Sequence, residues 1–256
     1  MQGQSEATAY KMQGIVAAAV GISAKIHANK CGQRYPFWLF DLFCGSGYND
    51  KVDCIGSPIA MLREADKSGV APSMHCVDIN AESLARLSTE AEIRPRMGRD
   101  VFLYHGDNIN FYEHAAAIVQ ARELTKYARG IALFDPNDSD IALESLRGFS
   151  ERLPSVDIVI NYSGAAVKRA NGGGADRDDL DDMLSAANKR HWLIRRPFGR
   201  WQWSLLIGRN IEVGDYKSVG FHRLDSETGR EIAKVLIHTR TALKDEQVSR
   251  QAALSL

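Results

Sequence analysis

The chain has 256 residues, 45% of them hydrophobic, enough to bury a sizeable core in one domain or two. Lysine plus arginine number 32 and aspartate plus glutamate 32, so the formal net charge is zero and no global attraction to nucleic acid or anionic membrane follows. The cysteines, Cys31, Cys44, Cys54 and Cys76, have no CxxC spacing; they give no metal or disulfide signature and point to a reduced, cytoplasmic setting.

Residues 7–29 read as a first helix. Its apolar run 14–22 follows Lys11 as a signal-peptide core would, but Lys25, His27 and Lys30 come soon after and a strand begins a few residues later. The reading taken is a helix buried against a sheet, so that 1–36 forms an N-terminal helix and loop. No run is long enough to span a bilayer, and no membrane is expected. The strand is 37–42, Phe37-Trp38-Leu39-Phe40-Asp41-Leu42, a short apolar run holding one aspartate. Gly45-Ser46-Gly47 follows Phe43 and Cys44 as a tight turn, which lets a ligand approach the backbone beyond the strand's carboxyl end.

Residues 48–55 are a polar insertion without a clear period. Ser57 reads as the N-cap and Pro58 as the first position of a helix whose Ile59, Ala60, Leu62 and Ala65 face inward. A second strand, 73–78, ends in Asp78. Asn80 caps the next helix, with Leu84, Leu87 and Ala91 at helical spacing. Asp78 is placed to accept from the two hydroxyls of a ribose, or else to cap the helix after it. The third strand, 101–105, ends at Gly106-Asp107-Asn108. Asp107 either meets the exocyclic amine of an adenine or closes a turn, a role open to Asn108 and Asn110 as well.

The fourth strand, 130–134, runs into Asp135-Pro136-Asn137-Asp138, where the proline takes the chain out of the sheet. The fifth is 156–160, followed by Asn161-Tyr162-Ser163-Gly164. Residues 170–182, glycine-rich and then aspartate-rich, read as a mobile loop with a solvated, acidic helix start. Residues 189–210 reverse that character. Lys189, Arg190, Arg195, Arg196, Arg200 and Arg209 occur with no acid, interleaved with Trp192, Phe198, Trp201 and Trp203. The sixth strand is 203–207 and the seventh 216–222. A last helix, 226–240, turns Ile232, Val235 and Leu236 inward, and the tail 244–256 is polar. The alternation predicts an α/β, Rossmann-like, doubly wound, mostly parallel seven-stranded sheet flanked by helices, with 1–256 as a single domain.

A glycine turn, two acids and Asp-Pro, in that order at the ends of the first four strands, resemble the class I S-adenosylmethionine-dependent methyltransferases. Finer likeness is to the three-Cys-motif partner family of methyltransferases. It is carried by 41–47, by Gly56-Ser57-Pro58, by Phe134-Asp135-Pro136, and by Ile160-Asn161-Tyr162 followed by Lys168-Arg169. That family commonly has alanine at the place of Cys44, and an aromatic then glycine at the place of Asn137-Asp138. The resemblance implies S-adenosyl-L-methionine held by Asp41, Phe43, Gly45, Gly47, Asp78, Ile79, Asp107 and Asn108. It implies chemistry at Asp135, Pro136 and Asn137, and it leaves room for a three-Cys-motif protein as partner.

No Pro-Cys dipeptide is present to attack a pyrimidine ring, so transfer to nitrogen or oxygen is expected. Asp135 and the Pro136 carbonyl suit an adenine amine of DNA or RNA, with Tyr162 or Trp201 stacking on the base. Lys168, Arg169, Arg195, Arg196 and Arg200 would complete a nucleic-acid surface with those aromatics. The other readings are a small-molecule or protein methyltransferase, and a cofactor-binding subunit acting through a partner. A nicotinamide dehydrogenase would need glycine where Asp50 stands.

Overall fold

A computed structural model describes residues 14, 16–31, 34–51, 53–124, 128–136, 142–163, 178–197, 203–212 and 214–237. The first helix, α1 (Ala17–Cys31), buries Ala19, Val20, Ile22 and Ala24. It lies on the next helix and on the sheet, as a core helix should. The main strands are β1 (Phe37–Asp41), β4 (Pro72–Asp78), β5 (Val101–His105), β6 (Gly130–Phe134), β7 (Val156–Ser163), β8 (His191–Arg195), β9 (Trp203–Arg209) and β10 (Phe221–Arg223). They form one sheet in the order β10-β8-β9-β7-β6-β1-β4-β5. β5, β4, β1, β6 and β7 pair in parallel, whereas β9 runs antiparallel between β7 and β8.

The alternating α/β pattern gives the doubly wound fold expected, but with eight strands. The additional strand, β8, lies in the basic stretch 189–210, where charge hid the apolar core of His191-Trp192-Leu193-Ile194-Arg195. The expected strand 216–222 divides into a short 3-10 turn, Lys217–Val219, and the edge strand β10.

Helices cover both faces. They are α2 (Ser57–Lys67), α3 (Ala81–Thr89), α4 (Phe111–Ala121), α5 (Leu143–Arg152), α6 (Asp178–Ala187) and α7 (Glu227–Ile237). The apolar core falls into two clusters separated by the sheet. One holds Leu39, Cys76, Leu133 and Val159 with α1 and α2; the other holds Phe40, Ala132, Ile160 and Tyr162 with α5 and α6. This is the two-sided burial that makes parallel strands read as continuous apolar runs.

Several local expectations change. Residues 178–182, the acidic helix start expected at the end of that loop, are the first turns of α6, with Leu180 buried; 170–177 lie outside the described residues. Residues 48–55 fold as a hairpin of β2 (Tyr48–Asn49) and β3 (Cys54–Ile55). Ala91 lies beyond the end of α3 and is exposed, and Ile93 fills the core there instead. In α7, Ile232 and Leu236 point inward and Val235 is exposed.

Candidate functional site

Strand order sets the place of the site. The chain winds from β1 out through β4 to β5, then crosses back to β6 and out to β7, so β1 and β6 are neighbours at the point where the winding reverses. Loops leaving β1 and β6 part there and leave a crevice beyond their carboxyl ends. Side-chain alternation decides which groups line one face of it. Phe37, Leu39, Met74, Cys76, Ile131, Leu133 and Val159 all belong to the first core cluster. By the same period of two, Asp41, Asp78, Asp135 and Asn161 project on that same face, at the rim.

Asp41 is fully buried at the end of β1. Its Oδ1 accepts from the Phe43 N–H at 3.3 Å, while Oδ2 has no hydrogen-bond partner among the described residues. Burial pushes this carboxyl up to about 7. The Ser57 hydroxyl, close enough to favour the charged form without bonding Oδ2, and the Phe43 N–H pull the other way, and the charges of Asp135 and Asp78 raise it further. Three carboxylates therefore converge. Among the described residues no three His, Cys, Asp or Glu side chains form a group that could hold a metal ion.

The turn after β1 is built for a special backbone. Gly45 and Gly47 have φ of 60° and 78°, the left-handed region that L side chains avoid. A Cβ on Gly47 would lie 2.5 Å from Leu87 Cδ1, so that glycine also lets α3 approach. Asp78 Oδ2 accepts from the Gly45 N–H at 2.8 Å and Oδ1 from the Asn80 N–H at 2.8 Å. The acid at the end of β4 thus braces the glycine turn and the start of α3 together. Ile79, next in the chain, is 75% exposed, a flat apolar surface beside the rim.

Beyond β5, Asp107 is exposed and closes a turn with the Ile109 N–H at 2.9 Å. Asn108 Nδ2 donates to the Leu42 carbonyl at 2.9 Å and ties this loop to the end of β1. The structure therefore brings Asp41, Phe43, Gly45, Gly47, Asp78, Ile79, Asp107 and Asn108 to one rim. Asp135 and Pro136, both half-buried, continue it at β6. Asn161 Nδ2 donates to Asp135 Oδ1 at 2.7 Å. Ser57 and Asn161 escaped the sequence reading as site residues. The sequence pattern places Ser57 at the N-cap, but Gly56 holds that position and no side chain caps the helix. Asn161 is found only once β7 is registered beside β6.

The substrate side differs from expectation. Tyr162 is 1% exposed and belongs to the second core cluster, because it alternates with Asn161 to the other face; this removes it from a stacking role. Asn137, Lys168, Arg169, Arg200 and Trp201 lie outside the described residues. The basic stretch does not form one surface. Lys189, Arg190 and Arg209 sit at the end of the sheet opposite the crevice, since the chain runs up β8 and returns down β9. Lys189 is buried, gives a hydrogen bond to the Pro154 carbonyl at 3.1 Å, and has its amine pushed down to about 8 by burial. Arg209 is 1% exposed and paired with Asp157. Arg195 and Arg196 do reach the crevice end, but β8 is four strand spacings from β1, roughly 19 Å. Arg195 Nε also donates to the Val219 carbonyl at 3.1 Å.

Two solved structures share this fold. Protein LPL1258 from Legionella pneumophila has a TM-score of 0.53 at 11% identity, over 81% of this chain and 89% of its own. Human methyltransferase-like protein 13, crystallised with S-adenosylhomocysteine (SAH), has a TM-score of 0.50 at 14% identity, over 90% of each chain. No protein-family model matches the chain, and no curated protein matches it at a significant level.

Proposed function

We propose that the chain is an S-adenosylmethionine-dependent methyltransferase acting on an amino nitrogen. One observation carries the reading: the buried Asp41 carboxyl oxygen, without a hydrogen-bond partner among the described residues, near two further carboxylates and beside a left-handed glycine turn. Such a pocket calls for a cationic donor of N–H bonds. The fit extends along the rim. Asp41 would take the ligand's ammonium, the glycine turn would approach its chain, and Asp78 would accept from ribose hydroxyls with the lone pairs its two backbone bonds leave free. Ile79 would cover one face of the adenine, with Asp107 and Asn108 at its edge. When bound, the cofactor supplies a methyl group activated by a sulfonium.

What this chain does is hold and orient. Asp135, at the β6 end of the crevice, accepts an N–H of the acceptor and so points the nitrogen lone pair at the methyl carbon. Positioning of this kind supplies much of the acceleration in a direct displacement. A purine or pyrimidine amine suits Asp135 best. The basic stretch 189–210 adds little support for an extended nucleic-acid surface, because the fold sends half of its six cations to the far end.

Calorimetry with SAH and S-adenosylmethionine tests the assignment. The parent should bind both, and Asp78→Ala should bind at least tenfold more weakly, as expected for hydrogen bonds of about 1.5–3 kcal/mol each to a charged group. No binding by the parent chain would sink the reading. Transfer of labelled methyl to duplex DNA, single-stranded DNA, RNA and cell extract in parallel then identifies the acceptor class, and Asp135→Ala should bind cofactor normally and lose turnover.

A further inference from the structure

Asn161 stands beside Asp135 with its amide orientation fixed. Only the amide nitrogen can donate to a carboxylate, so the bond from Nδ2 to Asp135 Oδ1 turns Oδ1 of Asn161 the other way. That oxygen is shielded from solvent and has no hydrogen-bond partner among the described residues. A shielded acceptor left without a donor is costly and rare. It lies on the face that carries Asp41, Asp78 and Asp135, where alternation along β6 and β7 puts it.

We propose that Asn161 Oδ1 and the Asp135 carboxylate are paired acceptors that grip the two N–H bonds of a heteroaromatic amino group, making Asn161 a specificity-determining residue. The proposal rests on the methyltransferase reading above. Two acceptors on neighbouring side chains match two hydrogens on one nitrogen. A hydroxyl acceptor has one hydrogen and would leave Asn161 unsatisfied. An aliphatic amine has pKa near 10.4 and would be held by Asp135 as an ammonium, with no lone pair to react. An amino group on a heteroaromatic ring is neutral at pH 7 and keeps both its hydrogens and its lone pair.

In the transfer, the amino nitrogen forms a bond to the methyl carbon while the carbon–sulfur bond breaks and its electron pair stays on sulfur. The surplus N–H proton passes to Asp135 and then to water. The product keeps one N–H, satisfies one of the two acceptors, and is held less well, which favours a single methylation.

The probes are adenine, N6-methyladenine, N6,N6-dimethyladenine and hypoxanthine, titrated into SAH-loaded protein so that the cofactor's own adenine site is filled. Adenine should bind at least tenfold more tightly than the dimethylated base or hypoxanthine, with N6-methyladenine between. Asn161→Ala should keep SAH affinity within twofold and lose most of that discrimination. Asn161→Ser keeps a hydroxyl donor for Asp135 but removes the amide oxygen from its position, and should give the same result if the alanine variant folds poorly. Failure of the parent to bind SAH would overturn the cofactor reading instead. Normal SAH binding with no adenine binding, or with unchanged selectivity in both variants, would overturn the role of Asn161 alone.

Discussion

Asp41 links burial to pH at the scale of a single residue. Its carboxyl is raised from 3.8 to about 7. Between those values the folded chain keeps a proton that the unfolded chain has released, so this group's contribution to stability falls as pH rises through that window. The total is on the order of 4 kcal/mol. His75 acts in the opposite sense. Burial in its aromatic stack pushes it down to about 3, so its contribution grows as pH rises toward the ordinary histidine range. Urea unfolding of the parent and of Asp41→Asn, compared between pH 4 and 8, isolates the aspartate: the variant should gain relative stability as pH rises. A bound ammonium favours the charged carboxyl, so cofactor binding at pH 6.5 should release a proton, seen as a buffer-dependent heat that Asp41→Asn loses. The sequence identified the residue, since one aspartate closes an apolar strand. It could not show the unpartnered oxygen, because that follows from what surrounds the strand on both sides.

At the scale of elements, the pairing of β7, β9 and α1 shows why a linear charge pattern misleads. Arg209 reaches across from β9 to Asp157 on β7 at 2.5 Å and to the Ser23 hydroxyl of α1 at 2.8 Å. Ser23 in turn donates to Asp157 at 2.5 Å. In the sequence Arg209 was one of six cations in an acid-free run; its acid is fifty-two positions upstream and becomes its neighbour only through antiparallel pairing. Removing one partner strands the other charge. Asp157→Ala should therefore destabilise by about 3–5 kcal/mol, while the double change Asp157→Leu/Arg209→Met should cost far less, measured by urea unfolding. The same reasoning explains β8: three apolar residues between His191 and Arg195 are enough for a strand that two neighbours shield. Asn161 was legible as part of a motif but not as a partner of Asp135, because their proximity needs the register of β6 against β7.

For the whole molecule, the order of glycine turn and strand-end acids was enough to set the parallel half of the sheet, because each motif marks a strand's carboxyl end. The antiparallel half carries no such punctuation and was read one strand short. Ligand linkage acts on the entire fold. At a cofactor concentration one hundred times Kd, stability should rise by about 2.7 kcal/mol, which for a chain of this size shifts Tm by roughly 5–10 °C. Differential scanning fluorimetry checks this, and Asp78→Ala should show a smaller shift at the same concentration. The hairpin β2–β3 has a consequence for engineering. Its base is closed by the Gly56 N–H to the Gly47 carbonyl at 2.6 Å, and its flank is clamped by Arg86 to Asp50. The glycine turn is therefore fastened below the hairpin tip and insulated from it. Four to six glycine and serine residues spliced in after Lys51 should add about 1 kcal/mol or less of loop-closure entropy and leave SAH affinity unchanged. The tip is thus a splice point where a fluorescent or affinity handle can ride beside the crevice and report on its occupant without touching it.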